Sequence, residues 1–92
     1  MSDQIGKVLR RARLSAGYSQ SDLAKALGYK TPQYISNYER GVCLPSLKVI
    51  GQIVRKLEMG EIEQKSLIFA MMDNYRNKIE EAIGRTKARV RK

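Results

Sequence analysis

The chain has 92 residues, 42% of them hydrophobic, and 18 Lys+Arg against nine Asp+Glu give it a net charge of +9. That length suits one domain with a small core, and no run approaches the ~18 apolar residues of a membrane span. With no histidine and the single cysteine Cys43, it lacks a disulfide framework, the commonest metal ligand and the commonest general base.

Residues 4–16 (QIGKVLRRARLSA) place Ile5, Val8, Leu9, Ala12 and Ala16 at helical spacing, with Gly17 as the stop. Lys7, Arg10 and Arg11 fall elsewhere on the wheel. In SQSDLAKALG, Ser19 and Asp22 form a capping-box pattern. Leu23, Ala24 and Leu27 make the apolar stripe of this second helix, and Gly28 ends it. Tyr29 and Lys30 link it to a third. Thr31 suits an N-cap, and Pro32 suits the first helical position, where its missing N–H would be unpaired anyway. In TPQYISNYERG, Ile35, Tyr38 and Glu39 share one face, so Tyr38 is expected in the core. Gln33, Ser36, Asn37 and Arg40 share the other. Tyr34 falls between, and Gly41 is the stop.

Ser46 caps a fourth helix, LKVIGQIVRKL, whose Leu47, Ile50, Ile53, Val54 and Leu57 repeat at helical spacing. Gly51 inside it costs about 1 kcal/mol against alanine, which suggests a close packing contact there. From Glu61 a long stripe follows: Ile62, Leu67, Ile68, Met71, Met72, Tyr75, Ile79 and Ile83. A basic tail with Arg85, Lys87, Arg89, Arg91 and Lys92 comes after Gly84. No strand alternation, repeat or low-complexity linker interrupts the pattern. The fold class is all-α, four short helices plus a long C-terminal one.

The charge excess points to a polyanion, most simply nucleic acid, with a solubilising surface as the plainer reading. Residues 1–60 carry ten basic and four acidic side chains, and residues 61–92 eight and five. Two short helices joined by a tight turn describe a helix-turn-helix. Ala24 is small where the two would cross, and Gly28 can take the positive φ of the turn.

The segment from Ile5 to Leu57 resembles the phage-repressor and Cro-like helix-turn-helix proteins of the XRE group. The residues that carry the resemblance are Arg13, Gly17-Tyr18-Ser19-Gln20, Leu23-Ala24, Leu27-Gly28, Ile35-Ser36, Glu39-Arg40-Gly41 and Pro45-Ser46. They span a little over half the chain. The resemblance implies a lambda-repressor-like bundle that binds double-stranded DNA as a dimer, usually to repress transcription. It implies base contacts from Gln33, Tyr34 and Asn37, since Gln and Asn can bond adenine N6 and N7 and an aromatic ring can pack on a thymine methyl. It implies phosphate contacts from Gln20, Lys30, Ser36 and Arg40, and a structural ion pair between Arg13 and Glu39. Three features depart from the family pattern. Seven steps separate Gly28 from Ile35, one more than is common. The loop Val42-Cys43-Leu44 lacks the usual Lys or Arg, and the segment after Gly60 carries no family motif.

The expected organisation is a DNA-binding domain over 1–60 with a recognition helix at about 32–40, a C-terminal helix over 61–84 and a basic tail over 85–92. Apolar residues on more than one side of the last helix suggest a partner helix, most simply a second copy; the plainer reading folds the helix back onto its own domain, and both hold if its first turns finish the core and the rest dimerise. Ile68, Met71, Met72, Tyr75 and Ile79 are the expected dimer contacts, with Met59 in the same apolar group. The expected function is a sequence-specific transcriptional repressor on an inverted repeat. It would be cytoplasmic, bacterial or phage-encoded, nucleoid-associated when bound, and without cofactor, metal, membrane contact or enzymatic activity. Two other readings are an antitoxin, with a toxin or anti-repressor as protein partner, and an interaction module that kept the fold without DNA binding. Cys43 reads as a small hydrophobe rather than a redox sensor.

Overall fold

Five helices follow one another in the computed structural model, which describes residues 4–84. They are α1 (Gln4–Ser15), α2 (Gln20–Ala26), α3 (Gln33–Arg40), α4 (Leu47–Lys56) and α5 (Glu61–Ile83). The described residues contain no strand. The all-α class and the pattern of four short helices and one long one are as expected. The basic residues from Arg85 to Lys92 lie outside the described residues.

Local signals set the helix ends. Ser19 Oγ accepts from Asp22 N and Asp22 Oδ2 accepts from Ser19 N, both at 2.9 Å, which closes a reciprocal box at the start of α2. The Ser19 backbone N–H first, and then the Ser19 hydroxyl beside it, hold the Asp22 carboxyl below the usual carboxylate range. Ser46 Oγ accepts from Val49 N at 3.2 Å and starts α4. The first helix ends one residue earlier than expected, leaving Ala16 exposed in the turn. The third begins at Gln33, with Pro32 in the cap position rather than the first helical one. Thr31 Oγ1 accepts from Gln33 N at 3.2 Å, a bond that reaches two residues along and so turns the chain just before the helix.

α1 packs against α3 and α5, and α2 against α3 and α4. The core draws Ile5, Leu9 and Ala12 from α1, Leu23 and Ala24 from α2, and Ile35 and Tyr38 from α3. Ile53, Leu57, Met59, Leu67 and Ala70 complete it. Two expectations fail here. Met59 is 4% exposed and belongs to the core, because the break at residues 58–60 turns the chain back over the bundle. Leu47 is 78% exposed, because the start of α4 sits at the edge of the bundle: Val49 and Ile50 pack half-buried against the core and Ile53 is the first residue of the helix to be fully buried.

The long apolar stripe of α5 divides into two sides. Leu67 and Ala70 are buried, and Met71 packs half-buried against the same core. Met71, expected as a dimer contact, is therefore largely used within its own bundle. Ile68, Met72, Tyr75, Ile79 and Ile83 stand exposed, as do Ile62 and Phe69. Arg76 bridges Asp73 at 2.7 Å and Glu80 at 3.3 Å along the helix surface.

Candidate nucleic-acid interface

The pairing of α2 with α3 depends on close backbone approach. Ala24 is buried where the helices meet, and Tyr29 N–H donates to Ala24 O at 2.9 Å as the chain leaves α2. Gly28 sits between them at φ +87°, a conformation that a side chain would strain. The additional residue between Gly28 and Ile35 is taken up before α3, in the bends at residues 30–32. The helix itself is unbroken.

Beneath α3 lies a buried polar network. Arg13 and Glu39 are 6% and 9% exposed. Arg13 Nε donates to Glu39 Oε2 at 2.6 Å and Nη2 to Oε1 at 3.0 Å, a two-pronged pair. Arg13 Nη1 donates to Tyr18 O at 2.9 Å. Gln20 Nε2, at the start of α2, donates to Glu39 Oε1 at 3.0 Å. The network therefore fastens α1, α2 and α3 to one another through one carboxylate.

The outward face of α3 carries a second network. Gln33 Nε2 donates to Asn37 Oδ1 at 3.1 Å, and Arg40 Nη2 donates to the same oxygen at 2.9 Å. Arg40 Nε reaches Ser36 Oγ at 3.4 Å. Asn37 Oδ1 is thus engaged by two donors, so the free protein does not offer the Asn37 amide for a two-point adenine contact. The acceptor left at this end of the ladder is Gln33 Oε1. Gln33, Arg40 and Lys30 are exposed, while Gln20, Ser36 and Asn37 are half-buried. Tyr34 is 53% exposed.

Tyr29 was not among the candidates on sequence, yet it packs on them. Its ring centroid is 4.9 Å from that of Tyr34, and its hydroxyl is 3.0 Å from that of Tyr38. The i, i+4 spacing of Tyr34 and Tyr38 is visible in the sequence; the return of Tyr29 across the turn is not. Burial, then the hydrogen bond with Tyr29, raise the Tyr38 phenol well above the ordinary tyrosine range. A raised folded-state value means that this stability is complete below the unfolded value of about 10 and is lost as pH rises further. Stability should accordingly begin to fall above about pH 10, with Tyr38→Phe flattening that limb of the stability curve. Circular dichroism at graded urea and pH checks it, and an unchanged alkaline limb in the variant would refute it.

Among the described residues no helix is long and apolar enough to cross a membrane, and no group of side chains is able to hold a metal ion. A helix-turn-helix family model matches residues 9–63. Similar proteins include endothelial differentiation-related factor 1 of Rattus norvegicus, 43% identical over 54 residues, and that of Homo sapiens, 41% identical over the same length. The homologue in Xenopus laevis is 40% identical over 52 residues. The match covers 59% of this chain and 36% of the rat protein, so the chain spans little more than a third of the length of these relatives.

Proposed function

The chain belongs to the XRE-type helix-turn-helix family, whose shared domain binds DNA rather than catalysing a reaction, and from that premise we propose a sequence-specific regulator of transcription. In this reading it occupies an inverted-repeat operator as a homodimer and represses by occlusion.

The observation that carries the proposal is the outward face of α3. Gln33, Asn37 and Arg40 are joined by hydrogen bonds on a helix fastened from beneath by Arg13 and Glu39. The ion pair fixes the helix before DNA arrives, and Asn37 Oδ1 exchanges its bonds with Gln33 and Arg40 for a base edge on binding. α3 enters the major groove, where Gln33 and Asn37 meet base edges and Tyr34 an apolar group. Lys30, Ser36 and Arg40 meet phosphates, and Gln20 does so through its backbone N–H at the start of α2. A net charge of +9 makes affinity fall steeply with salt.

Selection of bound sequences from random duplexes tests this directly. A palindrome with half-sites about one helical turn apart, ~34 Å, is the expected result. Gln33→Ala and Asn37→Ala should each blur one position, a loss of about 1–3 kcal/mol of discrimination there. No enriched motif, and binding indifferent to both changes, would overturn the reading.

The dimer rests on α5. Ile68, Met72, Tyr75 and Ile79 are exposed and recur at steps of four, three and four residues, the spacing of a helix-pairing seam. Leu44, Leu47 and Ile50 line an apolar groove beside Met72 and Tyr75 and widen that surface. So much contiguous apolar area marks an interaction site. Ile68→Lys combined with Tyr75→Lys should give a monomer in sedimentation equilibrium with helix content unchanged. Truncation after Gly60 is no substitute, because it removes Leu67 and Ala70 from the core. A parent protein already monomeric at micromolar concentration would rule the seam out.

A further inference from the structure

The turn between α2 and α3 creates an aromatic cluster whose three rings differ in exposure. Tyr38 is buried, Tyr29 half-buried and Tyr34 mostly exposed. The Tyr29 and Tyr34 centroids are 4.9 Å apart with planes tilted by 32°, and those of Tyr34 and Tyr38 are 6.2 Å apart. Such separations are those of rings in contact. Tyr29 is itself anchored, by the 3.0 Å bond between its hydroxyl and that of Tyr38. A tyrosine on the surface of a short helix ordinarily moves among rotamers. Here the rings of Tyr29 and Tyr38 lie against Tyr34, which remains 53% exposed. Tyr34 directly follows Gln33 and lies three residues before Asn37, at the edge of the face that carries the polar ladder.

An apolar ring beside two amides matches one kind of base edge. In the major groove the apolar group is the methyl on C5 of thymine, next to the O4 acceptor. A cytosine methylated at C5 carries the same group on the same ring position. We infer that Tyr29 is a positioning residue, which holds Tyr34 as a fixed apolar face that reads the 5-methyl group of a pyrimidine in the major groove. This rests on the DNA-binding reading above. Tyr29 touches no base in this arrangement. It acts through the orientation of Tyr34, and its own hydroxyl sets that orientation through Tyr38. The lengthened turn gives this its place in the fold: the additional residue lies between Gly28 and α3, in the segment that returns Tyr29 onto Tyr34.

The test uses the full chain and the duplex obtained by selection, with single pyrimidines exchanged and affinity read by fluorescence anisotropy. Replacing thymine by deoxyuridine removes only the methyl group. At one position in each half-site that exchange should weaken binding about fourfold, the worth of one buried methyl. Tyr34→Ala should bring the thymine-to-deoxyuridine ratio to about one. Tyr29→Ala should do the same while binding to the deoxyuridine duplex stays within about twofold of the parent, and Tyr29→Phe should fall between. Because the ratio is taken within one protein, a partly unfolded fraction cancels from it. Exchanging cytosine for 5-methylcytosine at that position separates the two sources of the methyl. A gain assigns the site to either base, and no gain assigns it to thymine; both uphold the inference. If a duplex is selected but thymine and deoxyuridine bind alike everywhere, or if Tyr29→Ala keeps the full ratio, the inference falls and the DNA-binding reading stands. If no duplex is selected, both fall.

Discussion

Glu39→Ala should lower stability by about 3–5 kcal/mol, the cost of leaving one member of a buried ion pair alone. The carboxylate accepts three hydrogen bonds, two from Arg13 and one from Gln20. Its removal strands a guanidinium that is 6% exposed and keeps only its bond to Tyr18 O. Against a total of about 5–15 kcal/mol for a domain, that loss leaves little in reserve. Arg13→Ala should cost less, because Glu39 can be neutralised by a proton whereas an arginine cannot. Replacing both by Met should recover much of the loss, since the expense lies in the unpaired charge rather than in the absence of the pair. Urea midpoints of Glu39→Ala, Arg13→Ala and the double alanine variant, at constant m, form a double-mutant cycle that measures the coupling, and the double methionine variant is compared beside it. If Glu39→Ala cost less than about 1 kcal/mol, the pair would be behaving as a solvated surface contact. DNA affinity should fall with stability in these variants, since the same carboxylate fastens the start of α2 to the end of α3.

The parts of this architecture that were legible in the sequence are those written in short-range pattern. Ile5, Leu9 and Ala12 on α1, Leu23 and Ala24 on α2, and Ile35 and Tyr38 on α3 are spaced for one helical face, and all are buried. Ser19 and Asp22 announce the start of α2 because a capping box needs only three residues of reach. What the sequence hid depends on distance or direction. Residues 67–72 of α5 (LIFAMM) are apolar without a break, so periodicity alone could not tell Leu67 and Ala70, which face the core, from Ile68 and Met72, which do not. The engagement of Asn37 Oδ1 follows from Arg40 folding back along the helix, a choice of rotamer that residue type does not reveal. Tyr29 was read as a link because its partners Tyr34 and Tyr38 come back to it only once the turn has closed. Glycine was the most misleading residue. Gly51 drew notice for standing mid-helix, yet a Cβ there would meet only the end of the Arg55 side chain, at an ordinary 3.5 Å. Gly6 drew none and is the one that matters.

Gly6→Ala should destabilise by about 1–3 kcal/mol, the usual cost of forcing an extra carbon into a packed contact. Gly6 lies on the buried side of α1 where that helix crosses α3. A Cβ built on it would overlap the carbonyl oxygen of Glu39 and come within 2.7 Å of that of Tyr38. Both are backbone atoms in the last turn of α3, so no rotamer change can make room. Relief would require α1 and α3 to separate, which would also pull Arg13 from Glu39 and let α3 shift on the bundle. Gly51→Ala supplies the matched comparison. It makes the same chemical change in a helix with no backbone neighbour near the new carbon, and it should stabilise by about 0.5–1 kcal/mol through helix propensity alone. The two substitutions should therefore move the thermal midpoint in opposite directions, by several degrees each for a domain of this size, at roughly 4–8 °C per kcal/mol. Equal shifts of the same sign would mean that α1 and α3 do not approach as closely as this. Opposite shifts, with Gly6→Ala also weakening DNA binding beyond its loss of folded protein, would tie the packing of α1 directly to the placement of α3.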